Sequence, residues 1–316
     1  MNNLCLSILT LAGGEPSDCL EALRSLADQT VACQLDVVVF ASGAIQEIES
    51  LSSRFGQFRV RGCATKTFGE AFEQFLELAD SPFLTYVEEH STVAPDWAER
   101  ILQAHDSGYP IVGFSVLNDN PQHLVSWVHL LGQFGHVAAP IPSGEVGFLA
   151  GHHVSYRKEL LELYGDELLH LMEDETAFFL RLRTEGVPLY LCGEAVSYHL
   201  HLDDMRSLLT LEFHGQRSFA ATRARQPNWS VGHTLFYTLL SPILPFVRAY
   251  RMIPHAVRVG LLKRFSWKLL PPLTAMLVVG TVGELIGYWF GGGRSAVSKT
   301  VYEFERRHMV EDHGSK

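Results

Sequence analysis

The chain has 316 residues, 47% of them hydrophobic and 19% charged. That balance excludes a disordered chain and an all-membrane protein, and it allows one large α/β domain, alone or with an appendage. The net charge of −10 is unevenly divided: residues 1–204 carry 10 Lys and Arg against 29 Asp and Glu, and residues 205–316 carry 15 against 6. The acidic part is unsuited to nucleic acid, which is bound through clustered Lys and Arg, whereas the basic part suits an anionic surface.

The N-terminus, MNNLCLSILTLAGGEP, has no basic region and no cleavage-type site, so it reads as a first strand rather than an export signal. The five cysteines (Cys5, Cys19, Cys33, Cys63 and Cys192) are odd in number and lack CxxC spacing, which fits buried thiols in a reducing compartment. LCLSILTL and LDVVVFAS are short apolar runs of strand type, and between them Leu20, Leu23 and Leu26 recur at helical spacing. FGEAFEQFLELAD predicts a second helix with Phe68, Phe72, Phe75 and Leu76 on one face. SPFLTYV follows as a third strand, APDWAERILQAHDSG as a helix opened by Pro95 and stopped by Gly108, and PIVGFSVL as a fourth strand. This alternation predicts a mostly parallel sheet flanked by helices, with ligands beyond the carboxyl ends of the strands.

Beyond residue 204 the texture changes. HTLFYTLLSPILPFVRAYRM and KLLPPLTAMLVVGTVGELIGYWF are strongly apolar, punctuated by Pro242, Pro245, Pro271 and Pro272, and bordered by arginines and lysines. The second run, with Glu284 as its one internal charge, approaches the length that spans a bilayer. Apolar helices bordered by Arg, Lys, Trp267, Tyr288 and Trp289 predict a membrane-associated region over residues 205–294 at the cytoplasmic face of the cell membrane, peripheral or monotopic, or with one re-entrant or spanning segment near 268–290. An α-helical domain with its apolar faces turned inward is the other reading. Residues 295–316 form a polar tail.

Three clusters carry the chemistry. Glu88, Glu89 and His90 stand at the carboxyl end of the third strand, where carboxylates and an imidazole suit Mg2+ or Mn2+ with a phosphate, or form only an acidic turn. Glu173, Asp174 and Glu175 precede a helix; they suit a general base, or a simple cap stabilised by the helix dipole. His199 and His201, two apart on a strand-like run, would point to one side as metal ligands, or be ordinary core histidines.

In succession, these features resemble the family 2 glycosyltransferases of the GT-A fold, over roughly residues 4 to 201. LSILTLAGGEP is similar to the family's opening strand and loop, ALRSLADQT to its first helix, FLTYVEEHSTVAPDW to the strand carrying its DxD-type motif, and FLAGHHVSYRKELL to its acceptor-side segment. The resemblance implies a GT-A domain over residues 1–204 that transfers a single sugar, with inversion, from a nucleotide-sugar donor to a hydroxyl of a saccharide or lipid-linked acceptor. It further implies a divalent cation, Mn2+ or Mg2+, bound by His90, Glu88 and His199. Glu175 would be the base, with Asp174 next. Thr10, Ala12, Ala41, Ser42, Glu88 and Glu89 would face the nucleotide sugar, and Gly151, His152 and Arg157 the acceptor.

The departures from the family are specific. Ala41 and Ser42 stand where aspartates are usual, the triad is Glu-Glu-His rather than Asp-rich, and ATKTFGEAF lacks an Arg-Asn pair. An imidazole in the triad shifts the preference toward Mn2+. Gln216 is followed by Arg217, Ser218 and Phe219, so the QxxRW motif of processive synthases is absent. Arg217, Arg223 and Arg225 would then meet a lipid-linked phosphate or lipid headgroups, or form a solvated helix face. A nucleotidyltransferase, or a non-catalytic sugar-nucleotide-binding scaffold, are the alternative functions.

Overall fold

The computed structural model describes residues 4–12, 19–41, 46–62, 67–173, 175–225, 229–295, 298 and 310. The described chain divides into two compact units, residues 1–117 with 136–199, and residues 118–135 with 200–316.

The first unit is built on one mixed sheet. Its strands are β1 (Leu6–Leu11), β2 (Leu35–Phe40), β3 (Gln57–Arg61), β4 (Phe83–Tyr86), β5 (Ser91–Val93), β6 (Ile111–Asn118), β7 (Gly144–Glu145), β8 (Val154–Arg157) and β9 (Leu189–His199). They lie in the order β3-β2-β1-β4-β8-β6-β9-β5, with β7 on β9. The first four strands pair in parallel, as the βα alternation predicts. The pairs β4–β8, β6–β8 and β5–β9 are antiparallel.

Both sheet faces are buried, which accounts for the near-continuous apolar strands. On one face Ile8, Val37, Val39 and Val112 pack with Leu23 and Leu26 of α1 (Leu20–Ala27) and with Trp97 and Ile101 of α4 (Trp97–Asp106). By the two-residue period Leu9, Val38, Leu84 and Tyr86 turn to the other face. There Phe68 and Phe72 of α3 (Phe68–Leu78) meet Tyr86 and Tyr156, and Tyr156 meets Phe178 of α8 (Glu175–Thr184). Thr67 caps α3 by accepting from the Glu70 N–H. The short helices α2 (Gln46–Leu51), α6 (Lys158–Glu162) and α7 (Leu168–Glu173) complete this unit.

Two strands carry no clear apolar signal. β3, QFRVR, is an edge strand of half-buried residues, and β5 is only three residues long. The arginine that obscures β3 also fastens it. Arg59 reaches the buried Asp36 of β2 at 2.6 Å, and Ser7 of β1 donates to the same carboxylate at 2.7 Å. Three parallel strands are thereby tied through one satisfied buried charge.

The second unit is helical: α5 (Leu124–Phe134), α9 (Met205–Ala224), α10 (Val231–Leu240), α11 (Leu244–Arg258), α12 (Leu261–Phe265) and α13 (Leu270–Phe290). Its core joins Val128 and Leu131 of α5, Leu208 of α9, and Leu273, Met276 and Leu277 of α13. Three of the prolines expected to interrupt this region instead open helices: Pro271 and Pro272 stand in the first turn of α13, and Pro245 in that of α11. There the missing N–H costs nothing.

Gly283 and Gly287 allow α13 to lie close against α9. A Cβ on Gly283 would come within 3.2 Å of the Phe213 carbonyl carbon and closer still to its oxygen; one on Gly287 would come within 2.7 Å of Ala220 Cβ. Glu284, the only internal charge of α13, is buried and paired with Arg248 at 2.8 Å. The joined helix Leu261–Phe290 is long and apolar enough to cross a membrane by length and composition, yet 44% of its most apolar window is buried inside the protein.

Candidate active site

Strand register assembles the site. β4 ends at Tyr86, and Glu88, Glu89 and His90 form the turn that leads into β5. Across β4 and β8, Thr85 stands opposite Ser155, so continuing that antiparallel register by three residues sets Glu88 against His152. Across β5 and β9, Ser91 stands opposite His199, the last residue of β9, which brings His199 beside His90. The triad, His152 and His199 are far apart in sequence.

The result is a compact, buried cluster. Glu88 Oε2 lies 3.0 Å from His199 Nε2, 3.7 Å from His90 Nε2 and 3.9 Å from His153 Nε2. His90 Nε2 and His199 Nε2 are 3.2 Å apart. At 3.0 Å the His199 ring is within hydrogen-bond distance of the Glu88 carboxylate. Glu88, His153 and His199 together have the proximity of a metal-ligand group. His90 Nδ1 meets Glu89 Oε1 at 2.8 Å, which fixes that ring through a buried carboxylate, as metal-bound imidazoles are commonly fixed. Glu88, His153 and His199 therefore fit a divalent cation; Glu88 and His199 are in the set that the sequence implies, and His90 lies outside this group.

Burial raises the pKa of the Glu88 carboxyl. The imidazoles of His90 and His199, with hydrogen bonds from His152 and His199, outweigh this and hold it well below the usual carboxylate range. Burial pushes His153 down to about 4, so its ring is neutral near pH 7, the state in which imidazole ligates.

A second carboxylate adjoins the cluster. Glu175, the first residue of α8, accepts from the His152 backbone N–H through Oε2 at 2.8 Å and from the Tyr156 hydroxyl through Oε1 at 3.0 Å. Burial and the neighbouring carboxylate push the Tyr156 phenol well above its usual range, so it remains a donor. The His152 ring joins the two carboxylates: Nδ1 lies 3.4 Å from Glu88 Oε1, and Nε2 lies 3.6 Å from Glu175 Oε2. Its backbone is in the left-handed region, at φ 63°, a conformation that costs a non-glycine residue free energy and recurs at functional sites. The ring is held there by Phe68 at 4.2 Å and the edge of Tyr86 at 5.3 Å between centroids.

The sequence-derived residues are not all gathered here. Glu88, Glu89, His90, His152, Glu175 and His199 come together, with Gly151 against the Glu175 carboxylate. Thr10, Ala12 and Ala41 are buried at the carboxyl ends of β1 and β2. Ser42 and Asp174 lie outside the described residues. Arg157 is not with the cluster: the antiparallel register puts it opposite Phe83, at the far end of β4, with its guanidinium over the Phe83 ring at 5.2 Å. His201 does not share the side of His199, because β9 ends at His199 and the two-residue period stops there. Its ring packs on His129 and Phe134 within the helical unit.

His153 is the member of the candidate metal-ligand group that sequence reasoning missed. It was visible only as the second histidine of GHH, and its proximity to Glu88 depends on the β4–β8 pairing.

Comparison with known proteins agrees with this architecture. The model of the family described as "Glycosyl transferase family 2" matches residues 7–165. No curated protein matches the sequence. Among solved structures, the chain is similar to S. aureus TarS 1-349 in complex with UDP, at 14% identity and a TM-score of 0.50, over 96% of this chain and 92% of that one. A second S. aureus TarS structure matches at 14% identity and a TM-score of 0.47, over 92% of this chain and 55% of that one. The family match covers half of the chain and includes the parallel strands and the Glu-Glu-His turn. The chain is a member of glycosyl transferase family 2 and a glycosyltransferase with a GT-A-like fold.

Proposed function

We propose that the protein transfers a single sugar from a nucleotide-sugar donor to an acceptor hydroxyl, with inversion at the anomeric carbon, at the cytoplasmic face of a membrane. The observation that carries this reading is the buried cluster of Glu88, His90 and His199, linked through His152 to Glu175. S. aureus TarS, of similar fold, was crystallised with UDP, which supports a nucleoside diphosphate as the leaving group.

The roles follow from the chemistry of the groups. Glu175 takes the proton of the acceptor hydroxyl as that oxygen attacks the anomeric carbon, and one base suffices for a single in-line displacement. Tyr156 and the His152 N–H hold its carboxylate in one orientation. Glu88, His90 and His199 would hold a divalent cation of the Mn2+ or Mg2+ kind, which would supply positive charge to offset that gathering on the departing diphosphate. Thr10, Ala12, Ala41, Ser42 and Glu89 belong to the donor side, and Gly151 and His152 to the acceptor side. Asp174 is the secondary candidate for the base.

Membership of a sugar-transferring family disfavours the nucleotidyltransferase alternative, and the intact Glu175 disfavours a scaffold without catalysis. We assign residues 1–204 to the transferase domain, 205–294 to membrane association and 295–316 to a tail. The exposed Phe236, Leu239, Phe246, Tyr250, Ile253 and Trp267, with the surrounding Arg251, Lys263 and Lys268, support docking on an anionic leaflet.

The test pairs binding with turnover. Calorimetric titration with UDP, GDP and dTDP in Mn2+ is expected to show binding that disappears in His90→Ala, and Glu175→Ala is expected to abolish transfer while donor binding persists. Nucleotide binding indifferent to cation would sink the metal assignment, and undiminished turnover of Glu175→Ala would remove that residue from its role.

A further inference from the structure

We propose that His153 completes a four-donor cation site with Glu88, His90 and His199. We infer further that this set of three imidazoles and one carboxylate holds a resident transition-metal ion in preference to Mg2+, before any nucleotide arrives. The inference rests on the assignment of Glu88, His90 and His199 as cation ligands and adds both a ligand and a selectivity to it.

Four observations carry it. The first is spacing. Donors bonded at about 2.1 Å in tetrahedral array stand about 3.4 Å apart; four of the six separations here are 3.0, 3.2, 3.7 and 3.9 Å, and the donor atoms of Glu88, His153 and His199 all lie within 4.8 Å of one another. The second is orientation. His153 Nδ1 faces the Gly151 carbonyl at 3.3 Å, and a carbonyl only accepts, so that nitrogen carries the hydrogen and Nε2 turns a lone pair toward Glu88. His90 has the same arrangement, with Nδ1 on Glu89 and Nε2 turned inward.

The third observation is burial. His90, His153 and His199 are each no more than 2% exposed, and Glu88 is 5% exposed. Ring nitrogens and a carboxylate oxygen this close share a positive charge among them, which is either a proton, as between His90 Nε2 and His199 Nε2, or a metal ion. The fourth is donor type. Mg2+ requires oxygen ligands, sheds water reluctantly and usually relies on one or two carboxylates plus substrate phosphates. Imidazole suits the ions of the later transition series, whose affinity rises from Mn2+ through Co2+ toward Zn2+. A site with three imidazoles already in place does not depend on the diphosphate for its ligands.

Co2+ is the probe, because its visible absorption reports imidazole ligation independently of turnover. The full chain, stripped with chelator, is expected to bind one equivalent of Co2+ without nucleotide, with a visible band that a thousandfold excess of Mg2+ does not remove and that Zn2+ does. His153→Ala is expected to weaken Co2+ binding by at least about tenfold, the scale already seen for lesser, outer-shell changes, and free imidazole is expected to restore part of the loss. His153→Gln, which keeps most of the volume, serves if the alanine variant unfolds by circular dichroism.

Unchanged Co2+ affinity in a folded His153 variant overturns the added ligand and leaves the Glu88, His90 and His199 assignment standing. Displacement by equimolar Mg2+ overturns the selectivity. A chain that takes up no divalent ion, with or without UDP, holds a proton-shared histidine network instead and overturns both this inference and the cation assignment beneath it.

Discussion

Gly151→Ala separates the position of the Glu175 carboxylate from the stability of the fold. The new methyl would stand 3.1 Å from Glu175 Cδ and 3.4 Å from its Cβ, and closest to Oε2. Backbone does not obstruct it; the atom in the way is the far end of a flexible side chain. The carboxylate therefore moves, by roughly the 1 Å that restores a van der Waals contact of about 3.5–4 Å. That displacement weakens the 2.8 Å bond from the His152 N–H and the 3.0 Å bond from Tyr156. Hydrogen bonds to a charged group contribute about 1.5–3 kcal/mol each. Both are strained rather than lost, so the fold is expected to lose about 1–2 kcal/mol. A base misplaced by 1 Å costs on the order of a hundredfold in rate. The assay is steady-state transfer at saturating donor, with donor affinity by calorimetry and stability by urea unfolding. The expected signature is a kcat about a hundredfold lower, with donor Kd unchanged and a small shift in midpoint. A turnover within threefold of the parent protein, or a loss confined to donor affinity, would refute the placement of Glu175 as the base.

Three further outcomes follow from the same geometry. Gly287→Val drives a branched side chain into the Arg217 backbone and Ala220, with no flexible atom to yield; overpacking of this kind costs about 3 kcal/mol, read as a lowered urea midpoint. His105, buried and bonded to Ser155 and the Tyr109 carbonyl, is held by burial at about 4, against 6.5 when unfolded. Its protonation therefore favours the unfolded chain: stability is whole above pH 6.5 and is lost as pH falls toward 4, by up to about 3 kcal/mol. His105→Gln should flatten that part of the pH profile relative to the parent, and parallel profiles would refute the assignment. Phe246→Asp with Tyr250→Asp, both at exposed positions of α11, should reduce co-sedimentation with phosphatidylglycerol vesicles several-fold while the unfolding midpoint stays within a degree or two. Equal sedimentation would remove this face from the membrane contact.

Family and fold were legible because they rest on patterns of local origin. The apolar strands LSILTL and LDVVVF, the phenylalanine stripe of α3 and the Glu-Glu-His turn before Trp97 all stand within short windows. β3 was not legible, because an edge strand with Arg59 and Arg61 lacks the signal of its buried neighbours. The prolines of the helical region looked like breaks because sequence alone does not reveal whether a proline falls in the first turn of a helix or inside it.

The sequence by itself determined which groups were available: two adjacent carboxylates with an imidazole, a carboxylate at a helix start, and histidines near strand ends. Tertiary structure decided which of them meet. His199 joined the cluster and His201 did not, because β9 ends between them. His153 entered, and Arg157 was carried to the far end of β4, because the antiparallel β4–β8 register fixes which residue of β8 faces Glu88. Strand register is set by long-range pairing and burial, with Glu88 and His199 more than a hundred residues apart in the chain, and no local pattern encodes it.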